Sequence, residues 1–313
     1  MQVIKLAYPI KEKLTAGKVV LALGFFDGVH RGHQALLRKA KTIADQKGLP
    51  LMVMTFDVHP KVIFHGVRDF RYIDSPQEKV RKMAALGVDY LVFAQFRSGF
   101  AELRPQEFID KVILKLQPDT VVAGFDYTYG RADIANMKTL PLHARHRFDV
   151  VEVPEQKFAG RKIGSTEIRM AIKAGYMLLA AELLGRPYVL RGKVVQGKHL
   201  GRKMGYPTLN LKLSFPNIIP KIGVYATRTM VFDHWYYSMT SVGYNVTFNQ
   251  KGRIFIESNL FGFDEVAYGQ EIAIEFDSYL RGELDFANAR ELSKQMGKDK
   301  IAVQRFFKKT LIN

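Results

Sequence analysis

The residues whose types and spacing carry the most chemistry lie in one run, Gly24-Phe-Phe-Asp27-Gly28-Val-His30-Arg-Gly32-His33. It directly follows an apolar, strand-like segment, Lys18–Leu23, and leads into the helical pattern Gln34-Ala-Leu-Leu-Arg-Lys. A strand, a glycine-rich turn and a helix start form an anion site. Glycines allow close backbone approach, and the unpaired N–H groups with the helix dipole favour phosphate. His30 and His33, three apart in that turn, could aim at one phosphoryl group and stabilise charge that grows as it is attacked. Structural turn histidines, a metal pair and a generic glycine-rich loop are the competing readings. A metal would need further ligands, and a chain without cysteine or a nearby histidine cluster does not supply them.

Further candidates follow. Gly164-Ser165-Thr166-Glu167-Ile168-Arg169 opens another helical pattern, where hydroxyls cap the helix or donate to a phosphate and Arg169 can pair with the same anion. Gly192, Gly197, Gly201 and Gly205, interleaved with Lys198, Arg202 and Lys203, suit a loop wrapping a polyphosphate, although turn glycines between strands look the same. In Pro207-Thr208-Leu209-Asn210, Thr208 and Asn210 are two apart on an extended segment and offer two neutral oxygens to a hard cation. Glu257 interrupts the apolar run Phe255–Leu260, either as a solvent-facing carboxylate or as a general base.

The elements that must hold these residues change character along the chain. Short β-rich runs at Lys18–Leu23, Leu51–Phe56, Asp89–Ala94 and Thr120–Ala123 alternate with helical patterns at His33–Gln46, Pro76–Leu86 and Pro105–Leu116. That rhythm implies a parallel sheet covered on both faces, with ligands beyond the carboxyl ends of the strands. From Tyr188 onward, closely spaced runs (Tyr188–Val195, Val224–Phe232, Trp235–Tyr244, Arg253–Leu260, Ala267–Phe276) predict an antiparallel barrel or sandwich, closed by helix within Ala287–Ile312. Gly185-Arg186-Pro187 is the expected hinge, giving domains 1–185 and 186–313 in a chain of 313 residues. A formal net charge of +17 attracts anionic partners. No apolar stretch approaches the ~20 residues of a membrane span, so a cytoplasmic protein with no membrane partner is expected.

GFFDGVHRGH together with STEIR resembles the HxGH nucleotidyltransferases, and specifically the adenylyltransferase module of bacterial FAD synthetases. The resemblance implies a Rossmann-like first domain in which His30 and His33 stabilise the α-phosphate of ATP. Gly24, Phe26, Asp27, Gly28, Ser165, Thr166 and Arg169 would then hold the nucleotide. It implies that His59, in Thr55-Phe-Asp-Val-His-Pro60, and Asp126, in Gly124–Gly130, lie near the flavin. The second half resembles the riboflavin kinase module, a six-stranded antiparallel barrel with a terminal helix. There Gly197, Gly201, Arg202, Gly205 and Thr208 would contact ATP, Thr208 and Asn210 would hold Mg²⁺, Glu257 would be the catalytic base and Arg281 would lie by the flavin. The implied substrates are riboflavin, FMN and ATP, the final product is FAD, and no nucleic acid partner is expected.

Two departures from the pattern stand near the expected flavin: Gly164 where a serine is common, and Arg131-Ala-Asp-Ile-Ala-Asn136-Met-Lys138 in place of a glycine-rich continuation. They leave two alternatives: a riboflavin kinase with a repurposed nucleotide-binding domain, and another HxGH nucleotidyltransferase.

Overall fold

In the computed structural model, which describes residues 1–15, 17–64, 66–197, 206–244 and 254–310, the chain divides into two compact units, Met1–Ser165 and Thr166–Asn313. The first is built on six parallel strands: β1 (Gln2–Leu6), β2 (Val19–Leu23), β3 (Leu51–Phe56), β4 (Tyr90–Ala94), β5 (Pro118–Gly124) and β6 (Asp149–Val153). Their order is β1-β4-β3-β2-β5-β6. The chain leaves β2 for β3 on one side and later returns to β5 on the other. The carboxyl end of β2, where Gly24 begins the histidine run, is therefore the crevice at which such sheets bind ligands. β2 is wholly buried, and separate apolar clusters cover the two sheet faces, as continuous runs of Val, Leu and Met require.

Helices α1 (Arg31–Lys47), α2 (Pro60–Phe64), α3 (Pro76–Ala85), α4 (Ser98–Ala101), α5 (Pro105–Lys111) and α6 (Leu140–Ala144) connect the strands, and a short hairpin of β7 (Lys157–Phe158) and β8 (Arg161–Lys162) follows β6. Helix α1 carries Leu36, Leu37, Ala40 and Ala44 on one buried stripe and ends at Gly48 in the left-handed conformation, the usual glycine stop.

In the second unit, α7 (Ser165–Ala174, its first residue still in the first unit) and α8 (Met177–Leu184) precede a closed barrel. The barrel strands are β9 (Tyr188–Val195), β10 (Leu209–Leu213), β11 (Gly223–Val231), β12 (His234–Tyr244), β13 (Ile254–Leu260) and β14 (Glu271–Arg281), in the order β10-β13-β12-β11-β14-β9, with every pair antiparallel. Closure removes unpaired strand edges. The terminal helix α9 (Ala289–Thr310) packs Val303 and Phe307 on Ala226 and Met239, which places Thr227, Thr229, Ser238, Thr240 and Ser258 on the opposite, inward face. These five hydroxyls are fully buried and satisfy one another at 2.8–3.0 Å.

Helix α8 ends at Leu184 with Gly185 left-handed, and it packs on β14 and β9. Packing thus groups α8 with the barrel, whereas the boundary expected from sequence follows it at 185/186.

Candidate functional sites

His30 is the N-cap of α1: its Nδ1 accepts the His33 N–H at 3.3 Å, which leaves the proton on Nε2. The His30 and His33 rings stack, with centroids 3.6 Å apart and planes inclined by 18°. One backbone bond and one stack hold both imidazoles at a helix N-terminus, where the dipole favours negative charge. The turn before them is tightly wound. Gly28 has φ +81°, and a Cβ there would lie 2.9 Å from Ile73, so only glycine fits. Phe26 is also left-handed (φ 53°), with its ring buried in the core and edge-on to His33, so its ring faces the core rather than a ligand.

Asp27 is buried, and its carboxylate accepts the N–H groups of Ile73 (3.0 Å) and Asp74 (3.2 Å). It is a strut that ties the turn to the segment before α3. Ser165 Oγ, at the first residue of α7, donates to the Asp27 carbonyl at 3.1 Å, so the two motifs read as one constellation do meet. Thr166 and Arg169 follow in α7, exposed and half-buried respectively.

His59 stands in an aromatic cage, stacked on Phe70 at 4.4 Å and edge-on to Phe25 at 4.5 Å, with its Nδ1 accepting the Lys61 N–H. Its neighbour Asp57 takes the Phe96 N–H and the Arg97 guanidinium. Asp126 is exposed and pairs with Lys162 at 2.5 Å. The run from Arg131 to Lys138 folds on itself. The Asn136 amide donates to Ala132 O at 2.7 Å while its oxygen accepts the N–H groups of Lys138 and Thr139, and Arg131 pairs with Asp133. The aromatic cage and the buried Lys79 were not singled out from sequence. A usable signal existed for Lys79, which shares the buried face of α3 with Met83 at i,i+4.

In the barrel, Asn210 on β10 lies directly across from Glu257 on β13, and Glu257 from Ser241 on β12. Side chains so paired have Cβ atoms about 5 Å apart. Leu209 is buried while Thr208 and Asn210 on either side of it are not, so those two share the outward side, as the spacing implies. They line a cleft with Gly197, Phe263, Asp264 and Tyr268. A Cβ at Gly197 would sit 2.2 Å from Asn210 Nδ2, so glycine is required for the strand end to pass over the amide. Asn259 holds the approach to β10 through Pro207 O at 2.7 Å. Arg281 does not point freely at a ligand: Asp299 of α9 takes its Nε and Nη2 at 3.0 and 2.7 Å, and Gly282 O takes Nη1. Gly201, Arg202 and Gly205 fall outside the described residues. Among the described residues no group of three or more His, Asp or Glu could hold a metal by itself.

An anion-accepting helix start on a parallel sheet, followed by a cleft on a closed barrel with a carboxylate opposite an amide, defines a two-centre phosphoryl-group transferase. Comparison with known proteins gives both centres a family. The FAD synthetase family model matches residues 12–167 and the riboflavin kinase model residues 184–307. A bifunctional riboflavin kinase/FMN adenylyltransferase of Listeria monocytogenes is 42% identical over 311 residues, covering 99% of each chain. Its Bacillus subtilis counterpart is 38% identical over 98% of each chain. The chain belongs to the bifunctional riboflavin kinase/FMN adenylyltransferase family. The fold is also that of a Streptococcus pneumoniae chain described as a macrolide-efflux protein, with a TM-score of 0.89 and 36% identity over 96% of this chain and 99% of that one. Among the described residues here, no helix is long and apolar enough to cross a membrane.

Proposed function

We propose that the family's two reactions are divided between the two sites, with residues 186–313 phosphorylating riboflavin and residues 1–185 adenylylating the FMN formed. ATP is the co-substrate of both. In the barrel, Glu257 takes the proton from the ribityl 5′-hydroxyl as its oxygen attacks the γ-phosphorus of ATP, and ADP leaves. In the first domain, an FMN phosphate oxygen attacks the α-phosphorus in line and pyrophosphate leaves. No protein nucleophile is needed. His30 donates through Nε2–H to the phosphate as charge builds, and His33, stacked against it, acts beside it.

Ser165, Thr166, Arg169 and the backbone of Gly24–Gly28 hold the nucleotide, and His59 and Asp126 stand on the flavin side. In the barrel, Gly197, Gly201, Arg202, Gly205 and Thr208 contact ATP, and Arg281 borders the flavin. Mg²⁺ suits Thr208 and Asn210, whose hydroxyl and amide oxygens are hard donors that would hold it. Bound there, it would supply neutralisation of phosphate charge. ATP-dependent work of this kind fits the cytoplasm.

The observation that carries the reading is the stacked His30–His33 pair at the start of α1, beyond the carboxyl end of the central strand. Anion-exchange separation of flavins after incubation with ATP and Mg²⁺ tests it. His30→Ala should lower FAD formation by ~10²–10³ while riboflavin phosphorylation continues. Glu257→Gln should stop FMN formation yet still convert supplied FMN to FAD. Equal loss of both activities in a folded variant overturns the division.

A further inference from the structure

Lysine is seldom buried unless paired with a carboxylate. Lys79 is only 5% exposed, yet its ammonium donates to two uncharged acceptors: the Phe25 carbonyl at 2.6 Å and Thr55 Oγ1 at 3.2 Å. Thr55 Oγ1 donates to that same carbonyl at 2.8 Å. The main chain at the start of the histidine turn is therefore fixed from α3 and from β3 at once.

The ammonium also lies 4.4 Å from the centre of the Phe25 ring, and that ring meets the His59 imidazole edge-on at 4.5 Å. One cation thus sets both the carbonyl and the ring of Phe25. The carbonyl belongs to the turn that leads to His30 and His33, and the ring abuts the loop carrying His59.

The charged groups around Lys79 are otherwise engaged. Asp27 serves the backbone of Ile73 and Asp74, Asp74 pairs with Lys82, and Glu78 pairs with Arg81. Burial pushes the Lys79 ammonium down to about 8, with Asp27 and Asp74 opposing through space.

We propose that Lys79 is a positioning residue for adenylyl transfer, a buried cation behind the histidine turn that fixes Phe25 and thereby the spacing between that turn and the His59 loop. This rests on assigning adenylyl transfer to the first unit. Holding reacting groups at a set separation is where such a reaction gains most, and small misplacements are costly.

The test is steady-state FAD formation from FMN and ATP by the full-length protein, followed from about pH 6 to pH 10, with riboflavin phosphorylation as internal control. Lys79→Met should lower kcat for FAD formation about tenfold or more, with smaller changes in KM, and leave the kinase untouched. It should also abolish an alkaline limb that is expected near pH 8 in the wild type as the ammonium deprotonates. Lys79→Arg should recover part of kcat and carry that limb to higher pH. Thr55→Val keeps the charge and removes the shared hydroxyl, so it should cost kcat several-fold even if the methionine variant fails to fold. Wild-type kcat and an unchanged limb in Lys79→Met, or unchanged kcat in Thr55→Val, overturn the proposal. Normal FAD formation by His30→Ala would instead overturn the site assignment, whatever Lys79 does.

Discussion

Asp277 shows what a buried charge does away from either site. On β14 the inward residues are Ile272, Ile274 and Phe276, so strand alternation turns Asp277 outward, yet its side chain is only 11% exposed. Its cation, Arg228, stands 3.6 Å away and is shared with Glu275 at 2.8 Å. Burial pushes the Asp277 carboxyl up to about 7, Arg228 opposing and Glu275 adding to the rise. Such a group binds its proton more tightly folded than unfolded. Its contribution is therefore favourable at low pH and is lost as pH rises through about 7. Asp277→Asn, which resembles the protonated form, should stabilise the second unit at about pH 8 by ~1 kcal/mol or more, with the gain shrinking towards about pH 5. The only tryptophan, Trp235, lies on β12, so tryptophan fluorescence during urea denaturation reports this unit selectively. A gain that is the same at both pH values would show that Asp277 is not the titrating group.

At the scale of elements, the patterns that sequence carries are local and the ones it hides are not. β9 is found at Tyr188–Val195 with both ends as expected, because a long β-rich run starts just after the Gly185-Arg186-Pro187 break. The sheet edges β1 and β6 went unmarked: β1 is mostly exposed and β6 carries Asp149 and Glu152, so neither shows the solid apolar run of the central strands. The histidine turn was legible because strand, glycines and helix start are contiguous. The Asn210–Glu257 pairing emerges only from strand register, and the Arg281–Asp299 clamp only from the docking of α9 on the strand end. Asp299 is buried and also receives Gln295, so Asp299→Ala leaves a largely covered guanidinium unpaired. The variant should cost the second unit ~2–3 kcal/mol, a discount on fully buried pairs because Arg281 remains 21% exposed. Trp235 fluorescence in urea checks this cost. KM for riboflavin should rise as α9 loosens, and FAD formation from supplied FMN should stay at the wild-type rate.

For the whole molecule, the packing boundary lies close to residue 167, where the first family match ends, rather than at the start of the second. The kinase family model starts at residue 184, next to the hinge, while compactness divides the chain between Ser165 and Thr166. Between the two cuts lie α7 and α8. Helix α8 buries Met177, Ala180, Leu183 and Leu184 and packs on β14 and β9, the strands that sit side by side in the closed barrel. Removing a helix with four buried apolar side chains uncovers surface worth ~1.5–3 kcal/mol for each large side chain, enough to exhaust the marginal stability of a small domain. Two fragments separate the cuts. Residues 166–313 should be soluble, melt cooperatively by Trp235 fluorescence and phosphorylate riboflavin at close to the full-length rate. Residues 186–313 keep every kinase motif but lack α8, and should aggregate or melt at lower urea while regaining kinase activity only under stabilising conditions such as saturating ATP and riboflavin. If 186–313 matches 166–313 in both stability and turnover, α8 is not part of the barrel's folding unit and the motif boundary is also the folding boundary.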